Sequence, residues 1–408
     1  TIKQLWSPVQ IMNTSIDRQF DGKFSVENRY DYLNLNTCRF LWKQVKFPQA
    51  TDASNTAAQV LKEGEVQGSD VAAHSAGVLD IKTNILANTD ALYLTAIDKY
   101  GHELWRWTFP VDKLNQRTEP ISLLSIRPTY TETENDLTVK ANKRTFIFSK
   151  KDGQLKGVSV DNRKISFANG PRFIGARRAD RSLDQFYNHD DEKAKEKDRT
   201  YSEFPDAAVF TKLDVKQDGG DLIVTANYKL GNLDKAQWTI SPSGDLVLDY
   251  TYNFSGVVDL MGICFDYPED QVISKRWLGA GPYRVWQNRI HGTQYDVWEN
   301  DYNDPIPGET FTYPEFKGYF GDVSWMNIRT KEGIISLTNE TPDAYVGIYQ
   351  PRDGRDRLLY TLPESGISLL NVIPPVRNKV NSTDLCGPSS QPKWVNGPQT
   401  GRIVFRFM

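Results

Sequence analysis

Runs of alternating apolar and polar residues, separated by turn-forming residues, recur through most of the chain. The clearest two, residues 145–148 and 155–158, flank Asp152-Gly153, a dipeptide that suits the tight turn of a β-hairpin. Strands joined by such short turns are antiparallel, so residues 136–408 are predicted to form a large antiparallel double sheet. Similar turn sequences separate other β-rich runs at Asp218-Gly219-Gly220, Ser243-Gly244 and Glu332-Gly333.

The first part of the chain shows the same pattern on a smaller scale. Residues 23–30 alternate apolar and polar side chains, and residues 40–45 and 91–96 are further apolar runs. Trp42 is a candidate core residue between two sheets. Short strands separated by turns over about a hundred residues are typical of an immunoglobulin-like β-sandwich, which is predicted for residues 1–112.

Three stretches interrupt the strand pattern. Residues 48–77 are rich in Ala, Gly, Ser, Asp and Asn and are predicted to be short edge strands and loops. Residues 113–135, with a Thr/Glu-rich run, are predicted to be a linker that wraps over a neighbouring domain. Residues 188–199 mix charges of both signs, which favours a solvated surface segment.

Composition narrows the class of protein. A chain of 408 residues is too long for one ordinary domain, so two or three are expected. Its formal net charge of -3 gives no electrostatic footprint for nucleic acid or an anionic membrane surface. No apolar run approaches the ~18 residues of a transmembrane helix, which predicts a soluble protein. The N-terminus has no signal-peptide pattern, although a mature periplasmic or secreted chain would have lost one.

Neither the cysteines nor the histidines have the spacing of a metal or catalytic site. The three cysteines are far apart and are predicted to be small buried hydrophobes. The four histidines are scattered, so neither a metal nor a cofactor is predicted. These residues are Cys38, Cys264, Cys386, His74, His102, His189 and His291.

Residues 277–289, W-L-G-A-G-P-Y-R-V-W-Q-N-R, form the most distinctive segment. Gly281 and the proline that follows combine backbone freedom with a fixed turn. Trp277 and Trp286 flank this bend, and two large aromatic side chains have no use on a surface loop. The segment is therefore predicted to be a buried corner, referred to below as the corner.

The corner also resembles the W-x-G-x-G-P-x-E-x-Y-x-D-R signature of the C-terminal domain of family 2 glycoside hydrolases of the β-galactosidase type. Arg284 stands where that family has glutamate, and Asn288 stands where it has aspartate. Because both acids are lost, a sugar other than galactose stays open. Further segments resemble the same family in the same order, at residues 5–9, 27–35 with Trp42, 137–162 and 170–180.

The resemblance implies a fold and a place in a larger enzyme. It implies an immunoglobulin-like sandwich followed by a galactose-mutarotase-like β-supersandwich, with the catalytic barrel upstream. Retaining glycosidases need two carboxylates about 5–5.5 Å apart, and in this family both belong to the barrel. No catalytic residue is therefore assigned, and the chain alone is predicted to be inactive. The carboxyl pairs Glu299/Asp301 and Asp304/Glu309 are predicted to lie in solvated loops.

A late loop supplies the candidate substrate-binding residues. In β-galactosidases a G-x-x-x-S-W loop lends a tryptophan to the sugar site, and residues 384–394 occupy a similar place. The resemblance therefore implies Asp384 and Trp394 as substrate-binding residues; the alternative for Trp394 is a packing role. Trp286 and Trp298 are expected to make core or interdomain contacts.

The predicted partners are a carbohydrate substrate, the upstream catalytic barrel and further copies of the chain in a homo-oligomer. Two other functions stay open. A stand-alone carbohydrate-binding protein would bind glycans directly, whereas a mutarotase-like epimerase would need a histidine acid and base with a glutamate. The scattered histidines argue against the epimerase.

Overall fold

The computed structural model describes residues 2–52, 57–111, 126–178, 201–302, 317–349, 362–376 and 387–408. These residues form antiparallel β-sheets and a single four-residue α-helix, α1 (Ile2–Leu5), as the all-β prediction requires. Across these ranges no helix has the length and apolar character needed to span a membrane. The chain divides into two compact units. The first contains Thr1–Gln116, Leu278–Tyr283 and Ile290–Trp298, and the second contains Arg117–Trp277, Arg284–Arg289 and Glu299–Met408.

The first unit is a β-sandwich of a three-stranded sheet, order β1-β2-β5, and a four-stranded sheet, order β4-β3-β6-β7. Inward-facing side chains of both sheets, including Phe24, Trp42 and Phe109, form one core. The predicted core position of Trp42 is thus confirmed. The strands are β1 (Val9–Ile11), β2 (Lys23–Asn28), β3 (Arg39–Lys46), β4 (Gln59–Gln67), β5 (Ser75–Asp80), β6 (Ala91–Ile97) and β7 (Glu103–Pro110).

Two large sheets account for most of the second unit, although Leu278–Gly281 and Gln294–Trp298 of the nine-stranded sheet are assigned to the first. One has the order β24-β25-β19-β13-β11-β10-β9-β8, with β12 beside β11 and β14 beside β13; the other has the order β15-β16-β17-β18-β26-β23-β22-β20-β21. Their strands are β8 (Thr129–Glu132), β9 (Asp136–Ala141), β10 (Arg144–Ser149), β11 (Leu155–Val160), β12 (Arg163–Ile165), β13 (Ala168–Arg178), β14 (Tyr201–Glu203), β15 (Val209–Asp218), β16 (Asp221–Lys229), β17 (Leu233–Ile240), β18 (Leu246–Val258), β19 (Leu260–Asp266), β20 (Val272–Gly281), β21 (Gln294–Asp301), β22 (Trp325–Thr330), β23 (Gly333–Asn339), β24 (Tyr345–Gly347), β25 (Ile367–Val372) and β26 (Lys393–Phe407).

Aromatic side chains fill the space between these two sheets. The Phe265 ring of β19 lies 4.6 Å from the Phe167 ring and 5.5 Å from the Phe405 ring of β26. Trp238 of β17 lies 5.9 Å from Phe148 of β10. The pairs Phe265–Phe405 and Trp238–Phe148 join strands of different sheets, and all five rings are fully buried, so the predicted double sheet has one aromatic core.

The predicted hairpins are confirmed at Asp152-Gly153 and at the other three turn sequences, each of which joins two paired strands. Two predictions need correction. Residues 129–132 of the predicted linker form β8, which pairs with β9. Within 48–77, the predicted edge strand is present at residues 59–67, but it is nine residues long rather than short. β4 contains two valines and β8 contains two threonines, residue types that favour strands, and both strands lie at a sheet edge, where one side of the backbone stays open.

Candidate functional site

Trp394 lies near the start of β26, and its side chain is exposed. It pairs with Val257 of β18 and has 70% of its surface accessible. The sequence placed it in a loop, which is wrong: the strand begins at Lys393 because β18 extends far enough to pair with it. Among the described residues of 384–394, residues 387–392 keep the predicted non-strand structure, with a short 3₁₀ helix at Pro388–Ser390. Asp384 lies outside the described residues.

Gln287 of the corner holds the segment that leads into Trp394. Its side-chain nitrogen donates hydrogen bonds to the carbonyl oxygens of Ser389 at 2.9 Å and Gln391 at 2.7 Å. Its backbone nitrogen donates to the carbonyl oxygen of Pro374 at 3.1 Å. One residue therefore fixes two separate parts of the chain.

Asn288 makes the same kind of connection. Its side-chain nitrogen donates to the carbonyl oxygen of Val376 at 3.1 Å and to Oγ of Ser390 at 3.0 Å, while its side-chain oxygen accepts from the backbone nitrogen of Val376 at 2.8 Å. Val376 and Ser390 bracket residues 377–386, which include Asp384. Asn288 thus joins the chain at Val376 to the chain at Ser390, and we call Gln287 and Asn288 the loop clamp.

The corner itself is anchored by packing and by a tight turn. The backbone nitrogen of Arg289 donates to the carbonyl oxygen of Trp286 at 2.8 Å, which closes the turn that carries the loop clamp. The buried Trp286 ring meets the Tyr319 ring edge-on at 5.5 Å. Burial raises the pKa of Tyr319 far above its ordinary value, so this phenol stays neutral. The predicted burial of the corner is confirmed here.

Arg178 adds a third contact to the chain before residue 377. It ends β13, within the resembling segment 170–180. Its guanidinium donates to the carbonyl oxygen of Pro375 at 2.7 Å and lies 6.0 Å from the Trp286 ring. The buried carboxylate of Asp259 accepts from the backbone nitrogen of Arg178 at 2.9 Å and from Arg177 at 3.1 Å. Because bonds to a charged group are the stronger ones, Arg178 is held firmly.

The two positions where acids were replaced have different partners. Arg284 is buried, with its guanidinium 5.1 Å from the centre of the Tyr349 ring, a favourable cation–π geometry. Asn288 is bonded as described above. These two side chains therefore contact an aromatic face, backbone groups and a hydroxyl.

Glycine is required at position 281 of the corner because of close packing, and not because of a positive φ. A side-chain carbon added at Gly281 would lie 2.4 Å from the Trp298 ring, and Gly281 is not among the residues with positive φ. The Trp298 ring nitrogen also donates to the carbonyl oxygen of Gly279 at 3.2 Å. Gly281 is thus needed for close approach, and Trp298 has the packing role expected of it.

Other candidate residues lie elsewhere. Glu299 and Asp301 are exposed, as expected for solvated carboxylates, but they belong to strand β21 rather than to a loop. Asp304, Glu309, His189 and Cys386 lie outside the described residues. Cys38 and Cys264 are buried, which confirms that prediction for these two. The three described histidines, His74, His102 and His291, are exposed and belong to the first unit.

Sequence reasoning missed the roles of Arg178, Gln287 and Asp259. Arg178 lies in the resembling segment 170–180, and Gln287 lies in the corner. Both residues are therefore in segments that the sequence marks. Their partners lie about 80 to 200 residues away along the chain and had no local signal.

One protein-family model matches the chain. Residues 140–371, more than half of the chain, match the family model described as "Beta galactosidase small chain". No curated protein matches the sequence. Among solved structures, galactose 1-epimerase from Lactobacillus acidophilus NCFM aligns at 10% identity over 70% of this chain and 99% of its own, with a TM-score of 0.38. The protein HI1317 aligns at 8% identity over 69% and 100%, with a TM-score of 0.30. Similarities at these scores carry no argument about function.

Proposed function

Because the chain belongs to the β-galactosidase small chain family, we propose that it is the non-catalytic C-terminal part of a family 2 exo-β-glycosidase. In this proposal the chain supports a catalytic barrel, which holds both catalytic carboxylates, and lends Trp394 to the sugar site. The first unit, with its three-stranded and four-stranded sheets, is proposed to be immunoglobulin-like. Contacts between copies of the chain in a homo-oligomer belong to the same proposal.

The exposed indole of Trp394, just after the clamped residues 389–391, is the observation that carries this proposal. A large aromatic side chain that is not packed in the protein core presents its flat face to another molecule. Sugar rings present apolar C–H faces that suit such a surface. Gln287 and Asn288 hold residues 389–391, just before Trp394, and a binding group held by a rigid scaffold loses little conformational entropy when it binds.

The experiment reconstitutes the chain with the separately expressed barrel and measures hydrolysis of an aryl β-galactoside. Trp394→Ala is expected to lower kcat/KM at least tenfold, because a stacking contact is lost. The matched control is Tyr130→Ala, which removes an exposed aromatic ring from β8 of the other sheet and should leave kcat/KM unchanged.

Two outcomes would contradict the proposal. If Trp394→Ala keeps wild-type kcat/KM in the reconstituted enzyme, Trp394 does not serve the active site. If the chain binds glycans by itself through Trp394 and does not associate with the barrel, the stand-alone carbohydrate-binding function replaces the one proposed.

A further inference from the structure

A groove of 290 Å³ lies on the nine-stranded sheet of the second unit, away from the loop clamp. Neighbouring strands form its floor: Lys235 of β17, Asp249 and Thr251 of β18, and Thr400 and Arg402 of β26. The segment at Glu340 and Thr341, which follows β23, forms one wall. The volume is near the lower end of the ~300–1,000 Å³ range of small-molecule sites, so the groove suits a ligand the size of one sugar ring.

The wall and the floor are held in a fixed arrangement around Arg402. Its guanidinium donates to both carboxylate oxygens of Asp249 at 2.8 and 2.7 Å, and its Nε lies 3.0 Å from Oε2 of Glu340. The hydroxyl of Thr341 accepts from the backbone nitrogen of Arg402 at 2.8 Å and donates to its carbonyl oxygen at 3.1 Å. The groove is therefore preorganised, which lowers the entropic cost of binding.

Several polar groups of the groove keep bonding capacity. Within the described ranges, the second terminal nitrogen of Arg402, the Lys235 ammonium and the hydroxyls of Thr251 and Thr400 make no side-chain hydrogen bond or ion pair. Each carboxylate oxygen of Asp249 has a further lone pair. A ligand in the groove would thus meet donors, acceptors and hydroxyls that can serve as either.

The charges of the groove select among ligands. Lys235 and Arg402 carry positive charge, whereas Asp249 and Glu340 carry negative charge, so the set is balanced. An anion would gain from the two cations and be repelled by the two carboxylates. A neutral polyhydroxylated ligand is favoured because each of its hydroxyls both donates and accepts.

We propose that this groove is a second, non-catalytic binding site for a neutral saccharide. It lies on the same outward face of β26 as Trp394, because residues 394, 396, 398, 400 and 402 are all exposed and alternate residues of a strand share a face. Eight residues separate Trp394 from Arg402, which is about 26 Å along the strand. This is too far for one ring to touch both, so a branched or polymeric glycan could engage the two sites at once and gain avidity.

The test uses the full chain on a printed panel of neutral and uronic-acid-bearing oligosaccharides, followed by calorimetric titration with the tightest neutral ligand. The double variant Thr251→Val and Thr400→Val keeps side-chain volume and strand propensity but removes both hydroxyls, and it is expected to weaken binding at least tenfold. Arg402→Ala is expected to do the same. The matched control is Thr138→Val on β9 of the other sheet, which should bind like wild type.

Trp394→Ala separates this site from the proposed active-site role. Calorimetric binding of a single-ring ligand to the groove should survive Trp394→Ala, whereas hydrolysis by the reconstituted enzyme should not. The inference is overturned if no neutral glycan binds, if uronic-acid glycans bind more tightly than neutral ones, or if the double threonine variant and Arg402→Ala both bind like wild type.

Discussion

Replacing Asn288 by aspartate tests whether the loop clamp depends on an amide at this position. Aspartate keeps the acceptor for the backbone nitrogen of Val376, and the Ser390 hydroxyl can rotate to donate to it. The carbonyl oxygen of Val376, now 3.1 Å from an amide nitrogen, would instead face a carboxylate oxygen. One favourable contact becomes a contact between two acceptors.

The expected cost follows from that single contact. A lost hydrogen bond costs about 0.5–1.5 kcal/mol, and a buried acceptor without a donor costs about 1–3 kcal/mol. Val376 is buried, but the bond from its backbone nitrogen becomes charge-assisted and offsets part of the loss. Asn288→Asp is therefore expected to lower the free energy of unfolding by about 1–3 kcal/mol at pH 7.

The loss should depend on pH, because a protonated aspartate can donate to the Val376 carbonyl. The folded state then favours the protonated form, so the pKa of the new carboxyl is raised above its unfolded value of about 3.9. The variant's stability is recovered below that value and lost as pH rises through the folded pKa. Urea titrations followed by tryptophan fluorescence, for variant and wild type at pH 4 and pH 7, give the difference at each pH.

Asn396→Asp is the control, because Asn396 is exposed and its side-chain oxygen already accepts from Ser255 at 2.7 Å. It should unfold like wild type at both pH values. If Asn288→Asp is as stable as wild type at pH 7, or if its deficit is the same at pH 4, the described role of the amide is wrong.

Further predictions concern activity, packing and thiol reactivity. The purified chain should not hydrolyse aryl β-glycosides, and turnover that copurifies with it through several columns would contradict this. Trp277→Ala should cost about 3–5 kcal/mol, the range for large aromatic residues removed from a core; an unchanged urea midpoint would show that Trp277 is not a core residue. Gly281→Val should also lower the midpoint, because the added carbon atoms meet the Trp298 ring, and a normal midpoint would mean that the ring moves aside at little cost. Burial raises the pKa of Cys264 to about 11, so iodoacetamide at pH 8 should label this thiol only after denaturation, as read by peptide mass spectrometry; labelling of the native protein would contradict its burial.

Much of the fold could be predicted because strands and turns have local causes. Alternation of apolar and polar residues reports which face of a strand is buried, and Gly-containing turns report where a chain can reverse. The hairpin at Asp152-Gly153, the core position of Trp42 and the burial of Trp277 all followed from signals within a few residues. The resemblance to a known family gave a further reason to mark the corner as a distinctive segment.

The candidate site could be predicted only in part, because it depends on contacts between distant segments. The sequence marked Trp394, the corner and the motif ending near Arg178 as separate features. It could not show that Gln287, Asn288 and Arg178 all bind the chain at residues 374–376. Backbone carbonyl groups occur at every residue, so a side chain that binds one leaves no mark on its partner's sequence.

By itself the sequence determined the all-β class, the hairpins and the family. Only the tertiary structure decided that Trp394 faces outward from a strand, that the loop clamp binds both residues 374–376 and residues 389–391, and that Arg402 lies in a groove. The face of a strand on which a side chain lies follows from strand register. Register is set by the pairing of β18 with β26, more than a hundred residues later in the chain, and no local pattern specifies that pairing.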